Sequence, residues 1–321
     1  MRRVVFVAAI LAAASVVVGS GRQQPPQQQQ PPPVFRGAAE TVPVYVTVTD
    51  KDGRLVPTLT RDDFTILDNG RQQPLTVFDN TPQPIRLVVM LDVSGSMDGN
   101  LGLLREASRA LFARLNPDDQ VRVGTFGAEI AISPTFTNDP ASLDSALPAS
   151  IPESAPTPLW NALDQALSAF GEGGGRPVVL VLSDGKDSGP IKFGQPYFTL
   201  PHVMERAQRE EVMMYGVALR SRSAPGRTPG MMRNPMQALT DDLPDPGLAT
   251  LAQETGAGYF ELKPRDDLAA AFSRVVDELH NQYLLGFAPP ARDGKRHKIE
   301  VKVAPKDLKV RARKNYVAPK G

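Results

Sequence analysis

Ile85-Arg86-Leu87-Val88-Val89-Met90-Leu91-Asp92-Val93-Ser94-Gly95-Ser96 is the stretch on which the fold turns. Arg86 to Leu91 is a short apolar run with a polar start, the pattern of a strand buried on both faces of a parallel sheet. It stops abruptly at a carboxylate and two hydroxyls. Downstream, Leu103, Leu104, Ala107, Leu111 and Leu115 recur at helical spacing. Val121 to Phe126 follows as a strand, with Ile130 to Ser133 as its hairpin partner. The alternation continues with a helix through Leu159, Leu163, Ala166, Leu167 and Phe170 and a strand over Val178 to Leu182. A helix over Val203 to Glu210, a strand over Met213 to Leu219 and a helix over Leu248 to Thr255 come next, the last closed by Gly256 as a C-terminal cap. Tyr259 to Leu262 completes the sheet. Leu268, Phe272, Val275, Val276 and Leu279 stripe a final helix. Such alternation predicts an α/β fold, a doubly wound, mostly parallel sheet with helices on both faces, over residues 83–281. Sheets of this kind bind ligands beyond the C-terminal ends of their strands, where strand order reverses. The loop after Leu91 is therefore the first place to look for function.

The flanks read differently. Residues 35–82 are β in pattern: Val44, Val46 and Val48 alternate with Tyr45, Thr47 and Thr49, and Asp50-Lys51-Asp52-Gly53 ends the run as a turn. That tetrapeptide is similar to the start of a calcium loop, but the later ligands and the closing Glu are missing. Phe64, Ile66 and Leu67 lead into a second turn, Asp68-Asn69-Gly70, and Val77-Phe78 begins a return strand. Residues 282–321 revert to β, with strands expected over Tyr283–Phe287, Lys298–Val303 and Leu308–Arg313. Neither flank is large enough to bury its own core. The two are expected to pack together as one small β domain with the α/β domain inserted between them. From Arg292 to Lys320 there are 11 Lys or Arg against 3 Asp or Glu. The plain reading is a solvated strand face; contact with acidic envelope polymers or an acidic partner is the alternative.

The 321 residues carry a formal net charge of +1, which gives no field suited to nucleic acid. There is no cysteine, so disulfides, zinc–thiolate sites and cysteine nucleophiles are excluded. At the N-terminus, Arg2-Arg3 precedes an apolar run from Val4 to Val18, with small residues near Ser20 and Gly21. This is the organisation of a signal peptide over residues 1–21, too short for a membrane span, with a retained N-terminal anchor as the alternative. The arginine pair alone does not make a twin-arginine signal. Residues 22–34, almost all Gln and Pro, lack the apolar groups to offset ordering entropy and read as a disordered tether. The expected location is outside the cytoplasm, secreted or in the periplasm or cell envelope, with no membrane span after signal cleavage.

Three separate loops offer oxygen donors at the same edge of the expected sheet: Asp92, Ser94 and Ser96; Thr157, just before Pro158; and Asp184, in Ser183-Asp184-Gly185. Oxygen donors without Cys or His suit magnesium, manganese or calcium rather than zinc. Each piece has an ordinary explanation. Thr157-Pro158 is also a helix N-cap followed by proline at the first helical position, and Asp184-Gly185 a common strand-to-helix turn. Together, and in this order, Asp92-Val93-Ser94-Gly95-Ser96, Thr157 and Asp184 resemble the metal-ion-dependent adhesion site (MIDAS) of von Willebrand factor type A (VWA) domains. From about Thr41 to Tyr316 the chain also resembles the VWFA-related family of predicted exported bacterial proteins. Val48-Thr49-Asp50-Lys51-Asp52-Gly53, Asp63-Phe64, Gln282-Tyr283-Leu284-Leu285-Gly286 and the closing Lys309 to Tyr316 carry that wider likeness.

The resemblance implies a Rossmann-like sheet and a divalent cation, magnesium first, with manganese or calcium as alternatives. It implies that Ser94, Ser96 and Thr157 supply hydroxyl ligands and that Asp92 and Asp184 sit close by, mostly through water. An open position would then accept an Asp or Glu from a protein partner. Asp98 and Asp187 are possible accessory carboxylates. The long segment 220–246 and the segment 188–200 leave the same rim, so Tyr197, Phe198, Met231 and Met232 are candidate partner-contacting residues. The leading expectation is an extracytoplasmic, metal-dependent protein-binding module. A metal-dependent hydrolase is the enzymatic alternative, opposed by the absence of a G-x-S-x-G elbow and by only three histidines, of which His202 alone belongs near the rim. An envelope assembly or chaperone component is the third reading.

Overall fold

The structure, a computed structural model, describes residues 41–152, 154–171, 173–189, 191, 194–220, 244–263 and 266–320. The expected signal peptide, the Gln/Pro tether, and Met231 and Met232 with nearly all of the 220–246 segment lie outside these residues. Among the described residues no helix is long and apolar enough to cross a membrane.

The N-terminal flank forms β1 (Val42–Thr49), β2 (Phe64–Asp68), β3 (Arg71–Gln73) and β4 (Leu75–Asp79). The turn between β2 and β3 uses Asn69 and Gly70, both at positive φ (47° and 80°), as a two-residue hairpin turn requires. β3 was not expected from the sequence; three polar residues carry no alternation to read.

The chain then enters a six-stranded sheet ordered β10-β9-β8-β5-β6-β7. Its strands are β5 (Ile85–Asp92), β6 (Gln120–Phe126), β7 (Ile130–Ile132), β8 (Arg176–Ser183), β9 (Met213–Leu219) and β10 (Tyr259–Leu262). All neighbours are parallel except the β6–β7 hairpin. Among the described residues six α-helices connect or follow these strands: α1 (Leu101–Phe112), α2 (Pro140–Ser145), α3 (Leu159–Ser168), α4 (Leu200–Arg209), α5 (Pro246–Thr255) and, after β10, α6 (Leu268–His280). Successive β5 side chains point to opposite faces. Leu87, Val89 and Leu91 pack into a core built with α1 and α6, while Val88 and Met90 join one built with α3, α4 and α5. All five are completely buried, each contributing about 1.5–3 kcal/mol relative to exposure. Burial on both faces is why β5 reads as a continuous apolar run.

Two details depart from the expected helices. Leu103 is 40% exposed, and Leu104, Ala107, Ser108, Leu111 and Phe112 form the inner face of α1 instead. α2, a six-residue helix started by the Asp139 side chain accepting from Ser142 N, is too short to show a period.

After α6 the chain returns to the flank through β11 (Tyr283–Phe287), β12 (Arg296–Val303), β13 (Lys309–Ala312) and β14 (Asn315–Val317). N- and C-terminal strands interleave in two antiparallel sheets, β13-β1-β11-β4 and β14-β12-β2-β3. Val44, Val46, Leu285 and Phe287 of one sheet share a core with Ile66, Ile299 and Tyr316 of the other. A buried polar group pins the second sheet: the Tyr316 hydroxyl donates to Asp68 Oδ2 (2.9 Å), and His297 Nδ1 lies 2.9 Å from Asp68 Oδ1. The basic C-terminal strands divide their charges. Arg296, Lys298 and Lys302 of β12 face solvent, whereas Arg311 and Arg313 turn toward Glu278 and Glu211 of the α/β domain.

Gly256 ends α5 at φ +78°, and a Cβ there would stand 2.4 Å from Arg313 N. Gly256→Ala therefore has to move β-domain backbone as well as adopt a left-handed conformation. Gly70→Ala, also at positive φ (+80°) but with nothing within 4 Å, meets only the second cost. In urea unfolding, Gly70→Ala is expected to lose about 1 kcal/mol and Gly256→Ala at least about twice that. Equal losses would show that the α5–β13 contact is not tight.

Candidate metal centre

Sheet order reverses around β5: β6 continues on one side and β8 is placed on the other. Asp92 ends β5 at this switch point and is fully buried. A carboxylate without water needs its lone pairs satisfied by the protein. Asp92 Oδ1 accepts from the Ser94 backbone N–H (2.8 Å), and Oδ2 accepts from the Ser183 hydroxyl (2.5 Å). The first bond folds the chain back on itself and turns Ser94 to the rim. The second ties β5 to the end of β8.

The hydroxyls continue the chain of contacts. Ser96 Oγ donates to Asp184 Oδ1 at 2.7 Å, and Ser94 Oγ lies 3.1 Å from Ser96 Oγ. A hydroxyl has one proton; with that of Ser96 given to Asp184, Ser94 is the donor in the serine pair. Asp184 Oδ2 is buried and has no hydrogen-bond partner.

Thr157 reaches the same place from a third loop. A Cβ on Gly185 would stand 3.1 Å from Thr157 Oγ1, so the threonine lies directly against the Asp184-Gly185 turn. Its backbone is clamped there, Thr157 N donating to Ser188 Oγ and Ser188 N to Thr157 O, both at 2.9 Å. Gly95 N donates to Ala155 O (3.1 Å), which joins the first loop to this one. The N-cap explanation of Thr157 is corrected. Pro158 occupies the cap position of α3 and makes no side-chain cap bond. The Asp187 carboxylate, from the β8–α4 loop, accepts from Trp160 N in the first turn of α3 instead (3.2 Å).

Asp187 is thereby a loop-fastening residue; its other oxygen accepts from Gly189 N (3.1 Å) and from the Tyr197 hydroxyl (3.0 Å). Asp98 is exposed and accepts only from its neighbour Gly99 N (3.1 Å) among the described contacts. Tyr197 is 53% exposed, while the half-buried Phe198 stacks on His202, with ring centroids 4.6 Å apart. His202 sits 3.1 Å from Asp164, which Arg206 also engages (2.8 Å). His280 and His297 are likewise bound to Asp119 and Asp68. Ser183 and Ser188 carry much of this arrangement, yet the sequence reading gave neither a role. For Ser183 there was a signal: a hydroxyl at the last position of an otherwise apolar strand.

Burial pushes the Asp92 carboxyl up to about 7, against hydrogen bonds from Ser183 and Ser94 that favour the ionised form, with the nearby Asp184 adding a further rise. Burial also raises Asp184, opposed by the Ser96 hydrogen bond. Two carboxylates short of water and one orphaned oxygen are conditions that a cation relieves. The donor set fits a hard divalent ion: hydroxyls of Ser94, Ser96 and Thr157 with two carboxylates behind them. Among the described residues no cluster of three or more His, Asp or Glu side chains is arranged for a metal.

Residues 87–186 match the family signature of the von Willebrand factor type A domain. The inserted α/β domain of this chain, with its mixed sheet and helices on both faces, is a VWA domain. Solved structures with similarity to the chain include a von Willebrand factor type A protein from Catenulispora acidiphila, 12% identical over 80% of this chain and 74% of the other, with a TM-score of 0.47. The conserved hypothetical protein BatB from Bacteroides thetaiotaomicron is 16% identical over 61% and 98%, with a TM-score of 0.44. The vWF domain of the type V pili tip protein Mfa5 from Porphyromonas gingivalis is 12% identical over 61% and 95%, with a TM-score of 0.44. No curated protein sequence matches the chain.

Because the Asp92 carboxyl titrates higher in the folded chain than in the unfolded one, folding takes up a proton between about pH 4 and 7. This group's contribution to the stability of the ion-free protein therefore falls as pH rises through that window. Asp92→Asn should flatten the decline in EDTA, read as urea midpoints at pH 5 and pH 8. An unchanged slope would mean that Asp92 is ionised throughout.

Proposed function

We propose that the chain is an extracytoplasmic protein-binding module for adhesion or assembly, whose VWA domain grips an acidic side chain of its partner through a divalent cation. The observation that carries the proposal is the Ser96–Asp184 contact at 2.7 Å with the second Asp184 oxygen buried and unpartnered. Loops about ninety residues apart in sequence spend their burial on converging oxygens rather than on packing.

When bound, a magnesium, manganese or calcium ion supplies a positive charge with a coordination position left for a carboxylate from outside. The protein's own residues do the rest. Ser94, Ser96 and Thr157 would present hydroxyl oxygens, which leave the ion's charge less quenched than carboxylates would. Asp92, held on both oxygens, orients the Ser94 turn and contributes negative charge from behind. Asp184 holds Ser96 in place and keeps one oxygen for the ion or its water. Asp187 and Ser188 keep α3, and Thr157 with it, against the β8 loop. Tyr197 stands exposed beside this rim, where a partner meets it.

The arrangement favours binding over hydrolysis. Each histidine is engaged by a carboxylate, and neither Ser94 nor Ser96 has a histidine among its described contacts. Envelope assembly would use the same site on a transient partner and is a use of the module rather than a separate chemistry.

Magnesium should raise the melting temperature of the wild-type protein and promote capture of partners from an envelope extract, with both effects abolished by EDTA. Ser96→Ala, which keeps the buried Asp92 contacts intact, should lose the magnesium response and the capture together; Asp92→Ala should lose them as well. Equal recovery of partners by wild type and both variants, with or without EDTA, would reject the adhesion reading.

A further inference from the structure

The charges of this chain are sorted by domain. Residues 85–281 hold 25 Asp or Glu against 17 Lys or Arg, whereas the flanks, 41–84 and 282–321, together hold 9 against 15. The acidic excess extends to the rim of the candidate ion site. Asp98 is exposed two residues beyond Ser96, and Asp187 lies three beyond Asp184, its backbone N–H donating to Asp245 Oδ2 (3.3 Å). An acidic ligand therefore approaches a rim of its own sign. Like charges facing each other across a contact oppose it, and basic residues around the ligand's carboxylate reverse that. The partner that fits is an acid set among lysines.

The β domain presents such an acid. Of the three carboxylates after residue 281, Asp293 accepts from Lys295 N (2.9 Å) and lies 3.2 Å from His297 Nε2, and Glu300 pairs with Lys302 (3.3 Å). Asp307 alone has no hydrogen bond or ion pair among the described contacts. It is exposed in the turn between β12 and β13, with Lys306 before it and Lys309 two positions on, both exposed as well. The turn stands on fixed feet. Val303 and Leu308 pack on the β-domain core at its two ends, and Ala304 N donates to Asp63 O (2.8 Å). A carboxylate held out on a fixed turn loses little freedom when it is bound. These anchors lie within the β domain, and no described contact takes the turn to Ser96, Thr157 or Asp184. The ligand it offers is one for another copy.

We infer that the acidic partner of the ion site is a second copy of this chain, with Asp307 as the carboxylate. The inference rests on the ion-bridged binding proposed above. Lys306 and Lys309 come with the ligand and meet the acidic rim, where Asp98 and the ring of Tyr197, 53% exposed, are open to a lysine. Site and ligand lie on different surfaces, so the contact is heterologous. Each copy that gives its turn keeps its own site free, and copies add head to tail.

The test is sedimentation velocity of the purified chain in magnesium and in EDTA, over a concentration series up to about 1 mM, the range in which weak contacts register. The magnesium-induced rise in melting temperature is read on the same samples. The wild-type protein should associate in magnesium as its concentration rises and stay monomeric in EDTA. Asp307→Asn, a change in an exposed turn, should stay monomeric in both while keeping the thermal response to magnesium. Ser96→Ala should lose association and thermal response together. A mixture of Asp307→Asn and Ser96→Ala should give one-to-one pairs and nothing longer, because one has only the site and the other only the turn. The inference is overturned by a wild-type protein that stays monomeric in magnesium, by association that EDTA leaves unchanged, or by an Asp307→Asn variant that associates as the wild type does. Where the wild type keeps its thermal response in such a case, the ion site stands and only the identity of its partner is wrong; a wild type without that response would sink the ion site itself.

Discussion

A carboxylate sealed from water at the end of a central strand holds the functional end of this molecule together. Asp92 has no exposed surface, and its two oxygens are taken by donors on different segments, the Ser94 backbone just ahead and the Ser183 hydroxyl across the sheet. The geometry of both loops follows. Ser94 turns outward because its N–H is held inward, and β8 stops level with β5 because Ser183 is held to it. Ser96 then meets Asp184, the residue after Ser183, so one buried acid indirectly sets the distance between a hydroxyl and a second acid. Removing the charge alone would keep the shape; removing the side chain would release both loops.

The same economy holds behind this contact. Thr157 has no cap to make, because proline follows it at the helix cap and Asp187 from another loop takes the α3 amide. Thr157 is left with its backbone clamped by Ser188 and its side chain against Gly185. Residues that look like a local helix signal are thus held by partners some thirty positions away. The proposed cation chemistry rests on that division, in which carboxylates and Ser188 position and hydroxyls face the ligand.

Much of the architecture was legible because it is written in short-range periodicity. The β5 run has no polar interruption because both its faces are covered; Gly256 ends a helix because its φ is +78°; Asn69-Gly70 turns because both residues take positive φ. The converging oxygens were legible as residue types at two strand ends and before a helix, and through their resemblance to a known site. What was not legible is carried by pairings with no local signature. β3 and β14 are three-residue strands that exist only because β2 and β12 are beside them. Leu103 fits the helical spacing as well as Leu104 does, and only the direction of the sheet decides between them.

The interleaved flanks have a consequence for the order of events as the chain is made. Val44 pairs with Leu285 and Ile66 with Val301, partners separated by well over two hundred positions. An open chain would pay a large closure entropy to bring such ends together, and slow, long-range β pairing leaves strand edges unprotected while it waits. Here the inserted domain removes most of that cost. Its alternating strands and helices build largely on near neighbours, and once folded it holds Ile85 and Gln282 at the same end of the sheet. The flanks then meet as the two halves of a clasp. β1 to β4 precede the inserted domain and are completed after it, so until β11 to β14 are made, β1 and β4 lack the strand that lies between them and β2 lacks β12.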